Sequence, residues 1–128
     1  MGELRKILHV EDDPDIREIV KLCLEVLGGF ELLQCASGRE ALKVAEAFSP
    51  DLFFLDMMMP GLNGLETLEQ LKAIESLKDV PAIFVTSVNT AEQYHDAILE
   101  QSIGSIPKPF DPSLLAEQVV ECWAKSGT

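Results

Sequence analysis

Short apolar runs alternate along the chain with stretches in which apolar residues recur at helical spacing. The third run, Leu52–Leu55, is continuously apolar, as expected for a parallel strand that is covered on both faces. Strands are therefore predicted at residues 7–10, 30–36, 52–55, 80–85 and 103–106, with a helix after each of them.

Several predicted helices begin with a capping signal. Asp13-Pro14 and Asp111-Pro112 each place an N-cap residue before a proline at the first helical position. Ser37–Glu40 and Thr90–Gln93 have the spacing of a capping box. A loop rich in Met, Pro and Gly, residues 57–64, separates the third strand from its helix.

Strict alternation of strand and helix with short connections predicts an α/β fold, a doubly wound parallel sheet of five strands with helices on both faces. Ligands bind such sheets outside the carboxyl ends of the strands. The residues that the pattern places at those ends are polar, and they are Glu11, Asp12, Asp13, Asp56, Thr86 and Lys108. We expect them to share one cleft.

The chemistry of that cleft points to a cation and to phosphoryl transfer. Carboxylates crowded together repel, which raises at least one pKa, and a divalent cation relieves the repulsion. An all-oxygen ligand set favours Mg²⁺. Asp56 could then accept a phosphoryl group covalently, with Thr86 and Lys108 beside it. Taken singly, Asp13 is interpreted as a helix N-cap, Thr86 as an ordinary strand residue and Lys108 as a surface charge.

Composition narrows the possible functions. The 128 residues have room for one domain, and a net charge of −12 without a basic cluster argues against direct nucleic-acid binding. No apolar run approaches a membrane span or a signal peptide, so a cytoplasmic protein is expected. The three cysteines, Cys23, Cys35 and Cys122, lack metal or disulfide spacing and are interpreted as buried thiols.

In four segments taken together the chain resembles the response-regulator receiver domains of two-component signalling, including the stand-alone chemotaxis type. The segments are Ile7–Pro14, Leu55–Gly64, Ile83–Ser87 and Lys108–Phe110. The resemblance covers essentially the whole chain, so residues 1–128 are expected to form one receiver domain. It implies a flavodoxin-like sheet with strand order 2-1-3-4-5.

The resemblance also implies a role for each matching residue. Asp56 is the phosphoacceptor, and Glu11 and Asp12 are the acidic pair, with Asp12 the direct Mg²⁺ ligand and Glu11 acting through water. Met58 contributes its backbone carbonyl to the metal, and Thr86 and Lys108 contact the phosphoryl group. The Lys108-Pro109 peptide is expected to be cis, and Ser87 is small so that the phosphoryl group fits.

The implied phosphodonor is a phosphohistidine on a sensor histidine kinase or a histidine phosphotransfer protein, which would dock near the first helix. The output surface is formed by the fourth helix, the fifth strand and the fifth helix, and the downstream partner is a protein. No membrane or nucleic-acid partner is expected. As a protein modified on its own aspartate, the chain is expected to have no turnover substrate.

Two features depart from the family pattern. Ser105 stands where the family usually carries Tyr or Phe, and Ser102-Ile103 replaces Gly-Ala before the fifth strand. We therefore hypothesise that signalling depends on the loop after the fourth strand, or on a partner contact that depends on phosphorylation. Met58 and Val88 flank the path of the attacking water, and because both are apolar, slow loss of the phosphoryl group is predicted.

Other readings of the sequence remain open at this stage. A degenerate receiver would act as an interaction module without phosphorylation. A phosphatase of the haloacid-dehalogenase type would use Asp13-Pro14-Asp15, but Arg17 stands where its Thr is expected and no cap domain is present. The start of the first strand close to Met1 suits a natural N-terminus, whereas the end of the chain suits either a natural terminus or a cut.

Overall fold

In a computed structural model, which describes residues 2–127, the chain forms one five-stranded parallel sheet. The strands lie in the order β2-β1-β3-β4-β5, which confirms the predicted fold and strand order. The strands are β1 (Lys6–Val10), β2 (Glu31–Cys35), β3 (Leu52–Asp56), β4 (Ala82–Thr86) and β5 (Gly104–Pro107). The outer ends of the predicted domain, Met1 and Thr128, lie outside the described residues.

Helices cover both faces of the sheet. They are α1 (Pro14–Lys21), which continues as a π-helical segment (Leu22–Leu27), α2 (Gly38–Phe48), α3 (Gly64–Lys72), α4 (Val88–Gln93), α5 (His95–Gln101) and α6 (Leu115–Lys125), with a 3₁₀ turn at Glu75–Leu77 after α3. Within residues 2–127 no helix has both the length and the apolar character that crossing a bilayer requires.

Two hydrophobic clusters explain why the central strands are apolar without interruption. Phe53 and Leu55 pack on the side of α2 and α3, whereas Leu52 and Phe54 pack on the side of α1 and α6. All four side chains are fully buried. Successive residues of a strand point to opposite faces, so a strand covered on both sides needs an apolar residue at every position. The interpretation of Leu52–Leu55 is confirmed.

The helix after β4 begins earlier than predicted. Ser87, not Thr90, is its N-cap, because the Ser87 hydroxyl accepts a hydrogen bond from the Thr90 backbone N–H at 3.2 Å. The same hydroxyl donates to the Thr90 side-chain oxygen at 2.9 Å. Thr90 therefore lies inside the first turn of the helix and does not cap it. The predicted single helix is also interrupted at Tyr94, which separates α4 from α5.

Two other capping predictions are partly wrong. Ser37 caps α2 by accepting from the Glu40 N–H at 3.1 Å, but the Glu40 carboxylate bonds to the Ala36 N–H instead of completing the box. Asp111 accepts from the Ser113 N–H and hydroxyl, so it stabilises a turn that precedes α6. A complete capping box occurs instead at Asn63–Glu66, at the start of α3.

The three cysteines are free thiols. Cys23 and Cys35 are buried as predicted, while Cys122 is only half-buried. Burial raises the pKa of the Cys35 thiol to about 12. A thiol with so high a pKa is protonated and unreactive at neutral pH, which agrees with the interpretation of Cys35 as an inert core residue.

Candidate functional site

Three carboxylates meet where β1 and β3 end. One oxygen each of Glu11, Asp12 and Asp56 lies within 4.8 Å of the others. Glu11 and Asp56 are buried, and Asp12 is exposed at the mouth of the cleft. β1 and β3 are hydrogen-bonded neighbours and run in the same direction, so residues that follow them emerge at the same edge of the sheet.

Lys108 supplies the positive charge of the cleft. Its ammonium nitrogen lies 3.0 Å from Glu11 Oε1 and 3.1 Å from Asp56 Oδ2, with a quarter of the side chain exposed. The Lys108 backbone N–H donates to the Thr86 carbonyl oxygen at 2.7 Å, which ties the end of β5 to the end of β4. The Lys108-Pro109 peptide is cis, as expected.

The cleft holds more negative than positive charge. Burial raises the pKa of Glu11 to about 7, and the neighbouring Asp56 carboxylate adds to the rise, against a smaller opposing effect of Lys108. Burial on its own would lower the pKa of Lys108, but its contacts with Glu11 and Asp56 raise that pKa overall. Two buried carboxylates thus share one ammonium, and a further cation would reduce the repulsion between them.

The donor set of the cleft fits Mg²⁺. Glu11, Asp12 and Asp56 all offer carboxylate oxygens, the hard ligands that Mg²⁺ selects, and the exposed Asp12 leaves room for retained water. Among the described residues this group contains no thiolate or imidazole that would favour a softer metal. Receiver domains bind Mg²⁺ in an acidic pocket of this kind. That the backbone carbonyl of Met58 also binds the metal stays a prediction.

Asp13 has the structural role that its position before Pro14 predicts. Its Oδ1 accepts from the Asp15 N–H at 2.8 Å, as an N-cap of α1. The Asp13 backbone N–H in turn donates to Glu11 Oε2 at 3.2 Å. The start of α1 therefore helps to orient Glu11, and Asp13 itself is absent from the carboxylate group of the cleft.

A polar network behind the cleft was missed at the level of sequence. Arg17 Nη1 donates to the Glu11 carbonyl oxygen at 2.7 Å, and Gln34 Nε2 lies 2.8 Å from the Arg17 carbonyl oxygen. The same Gln34 nitrogen lies 3.1 Å from His9 Nδ1, which accepts because an amide nitrogen only donates. Burial, with Arg17 and Lys108 nearby, lowers the pKa of His9 to about 3, so the ring is neutral.

The signal for this network was present in β1 and β2. His9 interrupts the apolar run at residues 7–10 of β1, and Gln34 occupies the matching position of β2. Residues in register on neighbouring parallel strands project from the same face, so two polar residues there indicate a buried polar pair. The sequence shows both polar residues, but only the register of β1 and β2 identifies His9 and Gln34 as partners.

Gly64 holds the loop after β3 close to Asp56. A Cβ at this position would lie 2.5 Å from the Asp56 carbonyl oxygen and 2.9 Å from the Met57 Cα. The Gly64 N–H donates to the Met57 carbonyl oxygen at 2.8 Å. Only a residue without a side chain allows α3 to begin this close to the end of β3.

Residues 7–120 match the family model of the response regulator receiver domain. The chemotaxis protein CheY of Pseudomonas aeruginosa is 32% identical over 114 residues, which cover 89% of this chain and 92% of that protein. The phosphate regulon regulator PhoB of the same organism is 31% identical over 123 residues, covering 96% of this chain but 53% of that protein.

Solved structures show the same likeness. The chemotaxis protein CheY4 of Vibrio cholerae superposes with a TM-score of 0.83 at 28% identity, covering 94% of this chain and 99% of that one. The chain spans only about half the length of the transcriptional regulators that it matches, such as PhoB. By its sequence, its strand order and its acidic cleft, the chain belongs to the response regulator receiver domain family.

Proposed function

We propose that this receiver domain accepts a phosphoryl group from a phosphohistidine onto Asp56, in a reaction that needs Mg²⁺, and signals through a protein partner. One observation carries the proposal. The buried Asp56 carboxylate lies within 4.8 Å of the Glu11 and Asp12 carboxylates and 3.1 Å from the Lys108 ammonium. Clusters of buried charged groups with shifted pKa values are typical of functional sites, and this one surrounds the carboxylate that would accept the phosphoryl group.

In the proposed transfer, an Asp56 carboxylate oxygen attacks the phosphorus of the phosphohistidine. The new O–P bond forms an acyl phosphate while the P–N bond breaks, and the imidazole of the donor leaves with that electron pair. The Lys108 ammonium contacts the transferred phosphoryl group, and the Thr86 hydroxyl donates a hydrogen bond to one of its oxygens. Bound Mg²⁺ would neutralise negative charge on the transferring phosphoryl group.

An apolar groove beside the cleft supports docking of the donor on α1. It has a volume of about 310 Å³ and is lined by Ile16, Ile19 and the stretch Lys108–Phe110. Ile19 is a large apolar residue, yet it is 41% exposed. It therefore presents apolar surface to a partner at the groove. A sensor kinase or histidine phosphotransfer protein seated there would bring its phosphohistidine to Asp56.

The alternative of a receiver that works without phosphorylation is less well supported. A module of that kind has no need for three clustered carboxylates, two of which are buried and share a single lysine, an arrangement that costs stability in the absence of a cation. We also propose that residues 1–128 act as one receiver domain that modifies only itself. The cytoplasmic location stays a prediction.

Incubation with acetyl phosphate and Mg²⁺, followed by intact-mass measurement, tests the proposal. The wild-type chain is expected to gain the mass of one phosphoryl group, and chelation of Mg²⁺ is expected to prevent the gain. Asp56→Asn should abolish it, since an amide oxygen is a poor nucleophile. Asp79→Asn makes the same change at an exposed position before β4 and should leave the gain intact. An unmodified wild type, or a gain that survives Asp56→Asn, would refute the proposal.

The lifetime of the phosphoryl group provides a second prediction. The side chains of Met58 and Val88 are 56% and 66% exposed, so both are accessible beside the cleft, and neither can orient water. Replacing both with asparagine is expected to speed hydrolysis of the acyl phosphate by roughly tenfold, because the amides can position the attacking water. Decay of the added mass with time measures the rate, and an unchanged rate would contradict the prediction.

A further inference from the structure

We propose that Arg17 is a positioning residue for the acidic pair and thereby sets the affinity of the cleft for Mg²⁺. Arg17 Nη1 donates to the Glu11 carbonyl oxygen at 2.7 Å. That carbonyl belongs to the peptide that joins Glu11 to Asp12. Because a peptide unit is planar, its orientation fixes the Cα atoms of both residues, from which the two carboxylates project. One hydrogen bond from the guanidinium therefore acts on both carboxylates.

Asp12 depends on this peptide more than Glu11 does. Glu11 is buried and its carboxylate is held at both oxygens, since Oε2 accepts from the Asp13 N–H at 3.2 Å and Oε1 lies 3.0 Å from the Lys108 ammonium. Asp12 is exposed, and among the described residues its carboxylate takes part in no hydrogen bond or ion pair. The position of Asp12 is therefore set by its backbone, which the Arg17 contact holds.

Gln34 keeps Arg17 in place. Gln34 Nε2 lies 2.8 Å from the Arg17 carbonyl oxygen and 3.1 Å from His9 Nδ1, so each hydrogen of the amide has its own acceptor. A flipped amide would set its oxygen against the Arg17 carbonyl oxygen. The His9 ring is buried, with its centroid 5.3 Å from that of Phe54, so it orients the Gln34 amide from a fixed position.

These contacts make Arg17 a junction of three elements. Its side chain reaches the end of β1, its carbonyl oxygen accepts from Gln34 of β2, and its N–H donates to the Asp13 carbonyl oxygen at 3.0 Å, in the first turn of α1. β2 also holds Glu11 directly, because the Glu11 N–H donates to the Cys35 carbonyl oxygen at 3.0 Å. A shift of α1 against the sheet would therefore pass through Arg17 to the acidic pair.

The charge of Arg17 alone predicts the opposite effect on the metal. Its guanidinium lies beside the acidic pair, and in the described part of the chain it forms no ion pair with a carboxylate. A positive charge at this place repels Mg²⁺, so removal of the charge would strengthen metal binding. If Arg17 positions the acidic pair, its removal weakens metal binding instead. The sign of the change separates the two roles.

Titration of the full, unmodified chain with Mg²⁺ by isothermal titration calorimetry tests the proposal. Arg17→Met keeps an apolar stem but cannot donate, and we expect it to weaken Mg²⁺ binding by roughly tenfold, as loss of a partner outside the coordination sphere commonly does. Lys21→Met is the matched control, because it removes a positive charge from an exposed position one helical turn further along α1. It should leave the affinity unchanged. Unchanged or tighter binding in Arg17→Met would overturn the proposal.

Two further variants identify the contact. Arg17→Lys retains a cationic donor and should lose less affinity than Arg17→Met, so an equal loss would also overturn the proposal. Gln34→Met removes both amide donors and should weaken Mg²⁺ binding by roughly threefold, the size expected for a neutral hydrogen bond. It should add nothing in the Arg17→Met background, because Gln34 acts through Arg17. If urea denaturation shows that Arg17→Met does not fold, unchanged affinity in Gln34→Met overturns the proposal.

The relevance to signalling rests on the proposed function, but the two can fail separately. A wild type that binds Mg²⁺ but gains no mass with acetyl phosphate would refute phosphorylation of Asp56 and leave the role of Arg17 standing. With phosphorylation intact, Arg17→Met should gain mass slowly at low Mg²⁺ and approach the wild-type rate at saturating Mg²⁺, since the bound metal then holds the carboxylates. A rate that stays equally low at saturation would overturn the assignment of Arg17 to metal affinity.

Discussion

Lys108→Met is expected to lower the free energy of unfolding by about 2 kcal/mol when divalent cations are chelated. The Lys108 ammonium is within 3.1 Å of both buried carboxylates, Glu11 and Asp56. Methionine keeps much of the length and the apolar stem of lysine but leaves those carboxylates without their cation. The expected loss is smaller than for a fully buried pair because a quarter of the Lys108 side chain is exposed.

Urea denaturation, first with a chelator and then with excess Mg²⁺, measures the change in the free energy of unfolding. The pH should lie above 7, because the pKa of Glu11 is about 7 and its carboxylate is charged only above that value. Mg²⁺ should restore most of the lost stability, because a cation that binds only the folded state shifts unfolding by mass action. Asp56→Asn should act in the opposite direction, since it removes a negative charge from the crowded cleft, and it should also weaken stabilisation by Mg²⁺.

Lys78→Met is the matched control. Lys78 forms an ion pair with Glu75 at 2.9 Å, but more than half of its side chain and most of the Glu75 side chain are exposed. Exposed pairs contribute at most about 1 kcal/mol and often nothing measurable. If Lys108→Met and Lys78→Met lower the free energy of unfolding by the same amount, and Mg²⁺ changes neither value, then the carboxylates of the cleft do not repel one another as proposed.

Much of the fold follows from local pattern. The unbroken apolar run Leu52–Leu55 requires cover on both faces, and the rule for parallel sheets then brings Asp56 to the same edge as Glu11 and Asp12. No knowledge of side-chain packing is needed for either step. The carboxylate group could therefore be predicted from the order of strands and helices.

The cap that was predicted wrongly and the network that was missed both depend on where other elements lie. Ser87 and Thr90 can both cap a helix, and spacing alone favours Thr90, whereas Ser87 caps because it follows β4 directly. The link from His9 through Gln34 to Arg17 depends on the register of β1 and β2, which no local pattern encodes.

Gly64→Ala is expected to lower the free energy of unfolding by about 2 kcal/mol and to slow phosphorylation of Asp56 by roughly tenfold or more. The added Cβ would lie 2.5 Å from the Asp56 carbonyl oxygen and 2.9 Å from the Met57 Cα, and backbone atoms cannot rotate out of the way. The start of α3 cannot retreat without breaking the hydrogen bond from the Gly64 N–H to the Met57 carbonyl oxygen, which is 2.8 Å long. The end of β3 must therefore move, and it carries Asp56, the proposed acceptor.

Gly61→Ala separates this effect from the ordinary cost of replacing a loop glycine. Gly61 has a φ of +75° and no neighbouring atom within 4 Å of an added Cβ, so alanine there costs about 1 kcal/mol of backbone strain and touches nothing. The rate of mass gain with acetyl phosphate should stay at the wild-type value in Gly61→Ala and fall in Gly64→Ala. If Gly64→Ala is destabilised but phosphorylated at the wild-type rate, then the close approach of Gly64 fixes the loop without positioning Asp56.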